Sequence, residues 1–228
     1  MPIFELRSDD TAFPPPELAE PEGLLAIGGD LSPRRLLKAY RVGIFPWFSE
    51  GDPYLWWSPD PRLVLYPEEL HVSRSLRQTI KKGIFEITSD RAFPLVIEMA
   101  SQVHRAKDGS TWITADMITA YTELHRMGYA HSIEAWKDGE LAGGLYGVSL
   151  GRAFFGESMF TRVSNASKVA FVKLVQYLRK RDFSFIDCQV STRHLKSLGA
   201  REIPRSRFLA ELKDALMYPT LKGPWRIE

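Results

Sequence analysis

Apolar positions along the chain alternate between helical and strand spacing often enough to lay out most of a mixed fold. LSPRRLLKAYRVG predicts a short helix with Ser32 as N-cap, Pro33 at the first helical position and Gly43 as its stop. RLVLYP reads as a strand, SRSLRQTIKKG as a helix from Ser73 to Gly83, and IFEITS as a second strand. Asp90 is then placed to cap a helix carrying Phe93, Val96, Ile97, Ala100 and Val103 on one face. After Trp112 a further helix shares Ile118, Tyr121 and Leu124 on one side and ends at Gly128. HSIEAW, ELAGGLYGVSL and RAFFGESMF alternate as three antiparallel strands, with Asp138-Gly139 as a hairpin turn. Asn165 opens an amphipathic helix to about Arg181, FSFIDCQV follows as a buried strand, and helices STRHLKSLG and SRFLAELKDAL close the core.

The first sixty residues follow neither period. AFPPPELAEPEG is a proline-rich, extended entry, and GIFPWFSEGDPYLWWSPDPR, from Gly43 to Arg62, sets large rings among turn residues and reads as a loop. SPDPR stiffens the chain, since a residue before proline is pushed out of the helical region. This predicts a small loop-rich domain over 1–60 and a larger one over 61–228. The fold class expected is α+β: the small domain packed on a mixed, twisted sheet flanked by helices. From residue 131 to 200 the element order is that of the acetyltransferase superfold.

Composition narrows the classes. An apolar fraction of 44% with 25% charged residues is globular. MPIFELRSDD lacks a signal-like n-region and h-region, and no stretch has the apolar length to span a bilayer, so a cytoplasmic protein without membrane contact is expected. One cysteine, Cys188, excludes an internal disulfide, and five histidines in no ligand spacing leave no metal expected. Residues 1–60 hold five Lys/Arg against ten Asp/Glu, a net −5, while the remainder holds 25 against 18, a net +7. That asymmetry favours a polyanionic partner for the second part, although a charged face is often simply solvated.

Candidate chemistry gathers in the second part. Acetyltransferases seat the coenzyme A pyrophosphate on a Gly-rich turn before the central helix. The matching junction here, FTRVSNASK, contains no glycine, which disfavours coenzyme A. In FFGESMF, alternation puts Phe155, Glu157 and Met159 on one strand face, either as a carboxylate in an apolar pocket or as a solvent-facing edge residue. Asp187 and Gln189 stand at i and i+2 of a central strand, as a polar site or as caps for neighbouring helices, with Cys188 on the opposite face as a small core residue. Arg74, Arg77, Lys81 and Lys82 fall within about 140° of one helix, a basic stripe that is either solvated or a phosphate-binding footprint. Trp112, Tyr121 and the loop tryptophans offer faces on which unpaired bases could stack.

GLLAIGGDLSPRRLLKAYRVGIFPWF, LWWSPDPR, GSTWIT, HSIEAW, GGLYGVSLG, FFGESMF, NASK, IDCQV and SLGAREIPR together resemble, in order and spacing, the bacterial leucyl/phenylalanyl-tRNA-protein transferases, roughly from Phe13 to Phe208. The resemblance implies transfer of Leu or Phe, less readily Met, from aminoacyl-tRNA to the α-amino group of proteins beginning with Arg or Lys, which marks them for degradation. It implies a monomer that uses no cofactor, with the tRNA 3′ adenosine between the two domains. By the same resemblance Trp47, Trp112 and Tyr121 would contact that adenosine, and Glu157, Asp187 and Gln189 the aminoacyl ester and incoming amine. Leu145, Phe154, Phe155, Leu174 and Leu178 would shape the side-chain pocket, and Arg74, Arg77, Lys81 and Lys82 would meet the tRNA backbone. An acyl-CoA-dependent N-acyltransferase and a non-catalytic RNA or N-terminal-peptide binding module are the competing expectations.

Overall fold

The computed structural model describes residues 3–227, apart from the side chains of residues 107 and 108. Its first sheet has the order β1-β2-β4-β3, from β1 (Phe4–Leu6), β2 (Leu24–Gly28), β3 (Phe45–Pro46) and β4 (Leu55–Trp57). The segment read as a structureless loop is thus a short hairpin, with Phe45 opposite Trp57 and Pro46 opposite Trp56. Helix α1 (Pro33–Arg41) lies between β2 and β3, and Ser32 Oγ accepts from Arg35 N–H as its spacing predicts. Trp56 is fully buried, with its indole N–H donating to Gly28 O at 2.9 Å and its ring edge-on to Phe13.

The second sheet has seven strands in the order β11-β5-β10-β9-β8-β7-β6. These are β5 (Arg62–Leu65), β6 (Glu86–Ser89), β7 (Ala130–Lys137), β8 (Glu140–Leu150), β9 (Ala153–Thr161), β10 (Phe185–Gln189) and β11 (Arg201–Ile203), the last a short strand that the sequence pattern misses. The central β9–β10 pair is parallel and every other pairing antiparallel, giving a mixed sheet. Asp138 and Gly139 both take positive φ in the β7–β8 turn, as an Asp-Gly hairpin requires.

Helices cover both faces. On one side, α3 (Phe93–Asp108), α4 (Ala115–Arg126) and α7 (Arg205–Ala215) share a core with Trp56, Tyr40 and Phe155. On the other, α5 (Ala166–Arg179) packs with Phe154, Ile186 and Leu145, and α2 (Arg74–Lys81) adds Leu76 to the same cluster. The short α6 (Arg193–Ser197) lies between β10 and β11. Asp90 does not cap α3, whose N-cap is Ala92. Its carboxylate instead accepts from Ser132 N–H and Trp225 N–H and contacts His131 Nδ1, tying the C-terminal segment to β7.

Candidate active site

A cavity of about 420 Å³ opens where the two sheets meet. Its rim comes from Phe45, Pro46 and Trp47 of the aromatic hairpin, with Trp112 and His104 from the α3–α4 side. Its apolar wall comes from Leu145, Phe154, Met159, Phe171, Leu174 and Ile186, contributed by β8, β9, α5 and β10. Gly147 makes that wall possible, because a Cβ there would fall 2.6 Å from the Phe154 ring and 2.2 Å from Phe155 O. Trp47 is 41% exposed although Trp57 donates its indole N–H to Trp47 O at 2.7 Å. The backbone is therefore pinned while the ring stays available to solvent.

Glu157 reaches this cavity through an irregularity. Tyr146 pairs with Ser158 but the next residue, Gly147, pairs with Gly156, so Glu157 is the extra residue of a β-bulge. Its strand lies between β8 and β10, so the edge-strand alternative does not apply. Glu157 Oε1 accepts from Tyr40 O–H at 2.7 Å and Gln189 Nε2–H at 2.9 Å, and Oε2 accepts from Tyr121 O–H at 3.0 Å; the two tyrosine hydroxyls also contact each other. Burial pushes the Glu157 carboxyl up to about 7 against these three donors, which favour its anion, and the nearby Asp187 adds to the rise. Burial and Glu157 together push both tyrosines well above the ordinary phenol range. They donate to Glu157 as neutral phenols.

Asp187 lies elsewhere. It is fully buried behind the cavity wall, is not among the cavity's lining residues, and forms a bidentate pair with Arg62, Nε to Oδ1 at 2.8 Å and Nη2 to Oδ2 at 2.7 Å. Arg62 is in turn stacked between the Phe45 and Phe208 rings. Gln189 N–H donates to Asp187 Oδ1 at 2.9 Å, and the ladder to β5 shifts between these residues as Gln189 takes φ 60°. Asp187 and Gln189 therefore do not project in parallel: one anchors Arg62 while the other enters the cavity.

The remaining expected residues divide in the same way. Leu145, Phe154 and Leu174 line the cavity, whereas Phe155 and Leu178 are fully buried without lining it. Trp47 and Trp112 line it, and Tyr121 lies buried beneath Glu157. Cys188 also lines it, with its thiol pushed up by burial and therefore held as the neutral, poorly nucleophilic form. Arg74, Arg77, Lys81 and Lys82 are exposed on α2 and its C-terminal cap. Sequence reasoning missed Tyr40, Arg62 and the contact between His104 Nε2 and Ser158 Oγ at 2.9 Å. Each depends on partners far apart in the chain, and no local pattern signals them.

The leucyl/phenylalanyl-tRNA protein transferase family model matches residues 64–213, and the model of that family's N-terminal domain matches residues 29–60. The chain belongs to this family. A leucyl/phenylalanyl-tRNA–protein transferase of Syntrophobacter fumaroxidans is 61% identical over 94% of this chain and 91% of its own length. One from Anaeromyxobacter dehalogenans is 58% identical over all of this chain and 97% of its own length. The expected resemblance is borne out, and the chain is an aminoacyl-tRNA-protein transferase enzyme. Among solved structures it is similar, at TM-score 0.40 and 11% identity, to an aminoglycoside acetyltransferase from an uncultured soil metagenomic sample, over 49% of this chain and 80% of that one. No helix among the described residues is long and apolar enough to cross a membrane.

Proposed function

We propose that this chain transfers Leu or Phe, and less readily Met, from aminoacyl-tRNA to the α-amino group of proteins beginning with Arg or Lys, acting as a cytoplasmic monomer with the tRNA 3′ end held between residues 1–60 and 61–228. The cavity carries this reading: an exposed aromatic rim, an apolar wall, and one carboxylate with one amide between them. Trp47 and Trp112 stack on the terminal adenine, each base–ring contact contributing about 1–3 kcal/mol. Leu145, Phe154 and Leu174, with Met159 and Phe171, enclose the transferred side chain, for which a dry, shaped cavity suffices. The exposed basic face of α2 meets tRNA phosphates.

Glu157 holds the aminoacyl α-ammonium. Gln189 donates one amide N–H to Glu157, and its carbonyl oxygen is the acceptor that orients the incoming amine. Asp187 acts one step back, fixing the Gln189 backbone and Arg62 rather than meeting substrate. The acceptor amine, with a reference pKa of about 7.7–8.0, is partly neutral near pH 7, and aligning it against an already activated ester supplies much of the acceleration.

Coenzyme A fits poorly as the acyl carrier. At the N-terminus of α5, Ser167 N–H is bonded to Thr161 Oγ1, and Gly143 packs so closely that a Cβ would fall 2.8 Å from Ala166 and 3.0 Å from Ser167 N. An anion would have to displace the chain itself from the site. Incubation with labelled Leu-tRNA or labelled acetyl-CoA and a peptide beginning with Arg separates the readings: transfer from the tRNA alone is expected. Transfer only from coenzyme A would establish an acyl-CoA N-acyltransferase. RNA binding without transfer would establish a binding module.

A further inference from the structure

Aminolysis of the ester leaves two protons to manage, and Glu157 and Gln189 do not manage them in the arrangement above. As the C–N bond forms, the attacking nitrogen becomes acidic; as the C–O3′ bond breaks, its electron pair goes to the ribose oxygen, which then needs a proton. The cavity holds one further hydrogen-bonded pair of suitable chemistry, Ser158 Oγ and His104 Nε2, 2.9 Å apart and both lining it. Ser158 follows the bulged Glu157 on β9, and His104 stands on α3, which leads into the Trp112 side of the rim. The pair therefore lines the same cavity as the residue assigned to the α-ammonium and the rings assigned to the adenosine. The other titratable groups lining the cavity are Glu157, Tyr146 and Cys188; among the described residues no lysine or arginine lines it.

We propose that Ser158, acting with His104, carries the proton from the attacking nitrogen to the departing 3′ oxygen. This rests on the reaction proposed above. The neutral amine attacks the ester carbonyl carbon, and its surplus proton passes to Ser158 Oγ as the Ser158 hydroxyl proton passes to His104 Nε2. When the C–O3′ bond breaks, the same two transfers run in reverse: the imidazolium returns its proton to Ser158, and Ser158 protonates the 3′ oxygen. One amide and one ribose hydroxyl result, and both protein groups end as they began. Ser158 touches the reacting atoms and is the catalytic residue of the pair, while His104 acts through it. A hydroxyl–imidazole pair of this kind typically contributes 10²–10⁴-fold.

The test compares single-turnover transfer to an Arg peptide from Leu-tRNA and from Leu-tRNA whose ester oxygen is replaced by sulfur, a leaving group that departs as thiolate without a proton. His104→Ala and Ser158→Ala are each expected to slow the oxygen ester about 100-fold, and the sulfur ester less than about 10-fold, with tRNA affinity unchanged. The double variant should lose no more than the worse single one. Equal losses on both esters would mean that the pair only shapes the cavity, and undiminished transfer from the oxygen ester would likewise overturn the proposal. If the unaltered protein transferred from neither ester, the reaction reading would fail and not this step alone.

Discussion

Strands β9 and β10 each carry a buried carboxylate, and the two are held in opposite ways. On β10, Asp187 meets a guanidinium in a bidentate pair, while on β9, Glu157 meets only neutral donors, two phenols and an amide. A buried ion pair is a fixed structural unit, since removing one partner strands the other charge in a dry interior. A carboxylate held by neutral donors can gain or lose its proton near neutrality, and Glu157, pushed up to about 7, is such a group. The β10 carboxylate is therefore a fixed anchor, and the β9 carboxylate is the one whose charge can change near neutrality.

Breaking the anchor has the largest expected effect. Asp187→Asn leaves Arg62 buried without its counter-charge and should cost about 3–5 kcal/mol in chemical denaturation. A loss below about 1 kcal/mol would remove the distinction between the two sides. Glu157→Gln should instead fold well but slow Leu transfer by about 100-fold, a loss typical of removing a charge-assisted contact. Its stability profile carries a further signature. Because the folded value of about 7 lies above the ordinary glutamate value of 4.5, the folded state binds more protons between those limits, so the Glu157 contribution is complete below about pH 4.5 and is lost as pH rises through about 7. Unfolding measurements on the Gln variant should show that slope flattened.

The rim sharpens the contrast by a smaller margin. Trp47→Ala should weaken tRNA binding by about 1–3 kcal/mol with the melting temperature retained, because its ring is exposed. Trp56→Ala, at the buried position paired with Pro46 across the hairpin, should mainly destabilise the protein. Smallest is Tyr121→Phe, which removes one donor that favours the Glu157 anion. Titration of Glu157, followed by carboxyl infrared bands, should move upward by less than about one unit; a downward shift would contradict the assigned donor.

Most strands and helices beyond residue 60 were legible because they span several periods of their pattern, as β7, β8 and α5 do, whereas the three-residue β11 was not. The four-stranded sheet was not, because its strands are two to five residues long and interrupted by Pro46 and by a register shift between Leu24 and Ala26. The site was legible in kind but not in direction. FFGESMF announces a carboxylate among rings, yet the bulge at Glu157 breaks the two-residue period that would reveal its face. The positive φ of Gln189 likewise separates it from Asp187, with which simple alternation had aligned it. Tyr40 and Tyr121 come from helices 81 positions apart and converge only through the tertiary fold.

The claim on which the rest depends is that the aminoacyl side chain occupies the cavity wall beside Glu157. Met159 is a partly exposed lining residue, so Met159→Trp fills that space without overpacking a closed core. Single-turnover transfer of labelled Leu and Phe from tRNA to an Arg peptide should fall by at least about 100-fold in this variant, while binding of uncharged tRNA and the melting temperature stay close to those of the unaltered protein. Undiminished transfer of both amino acids would place the reaction outside this cavity.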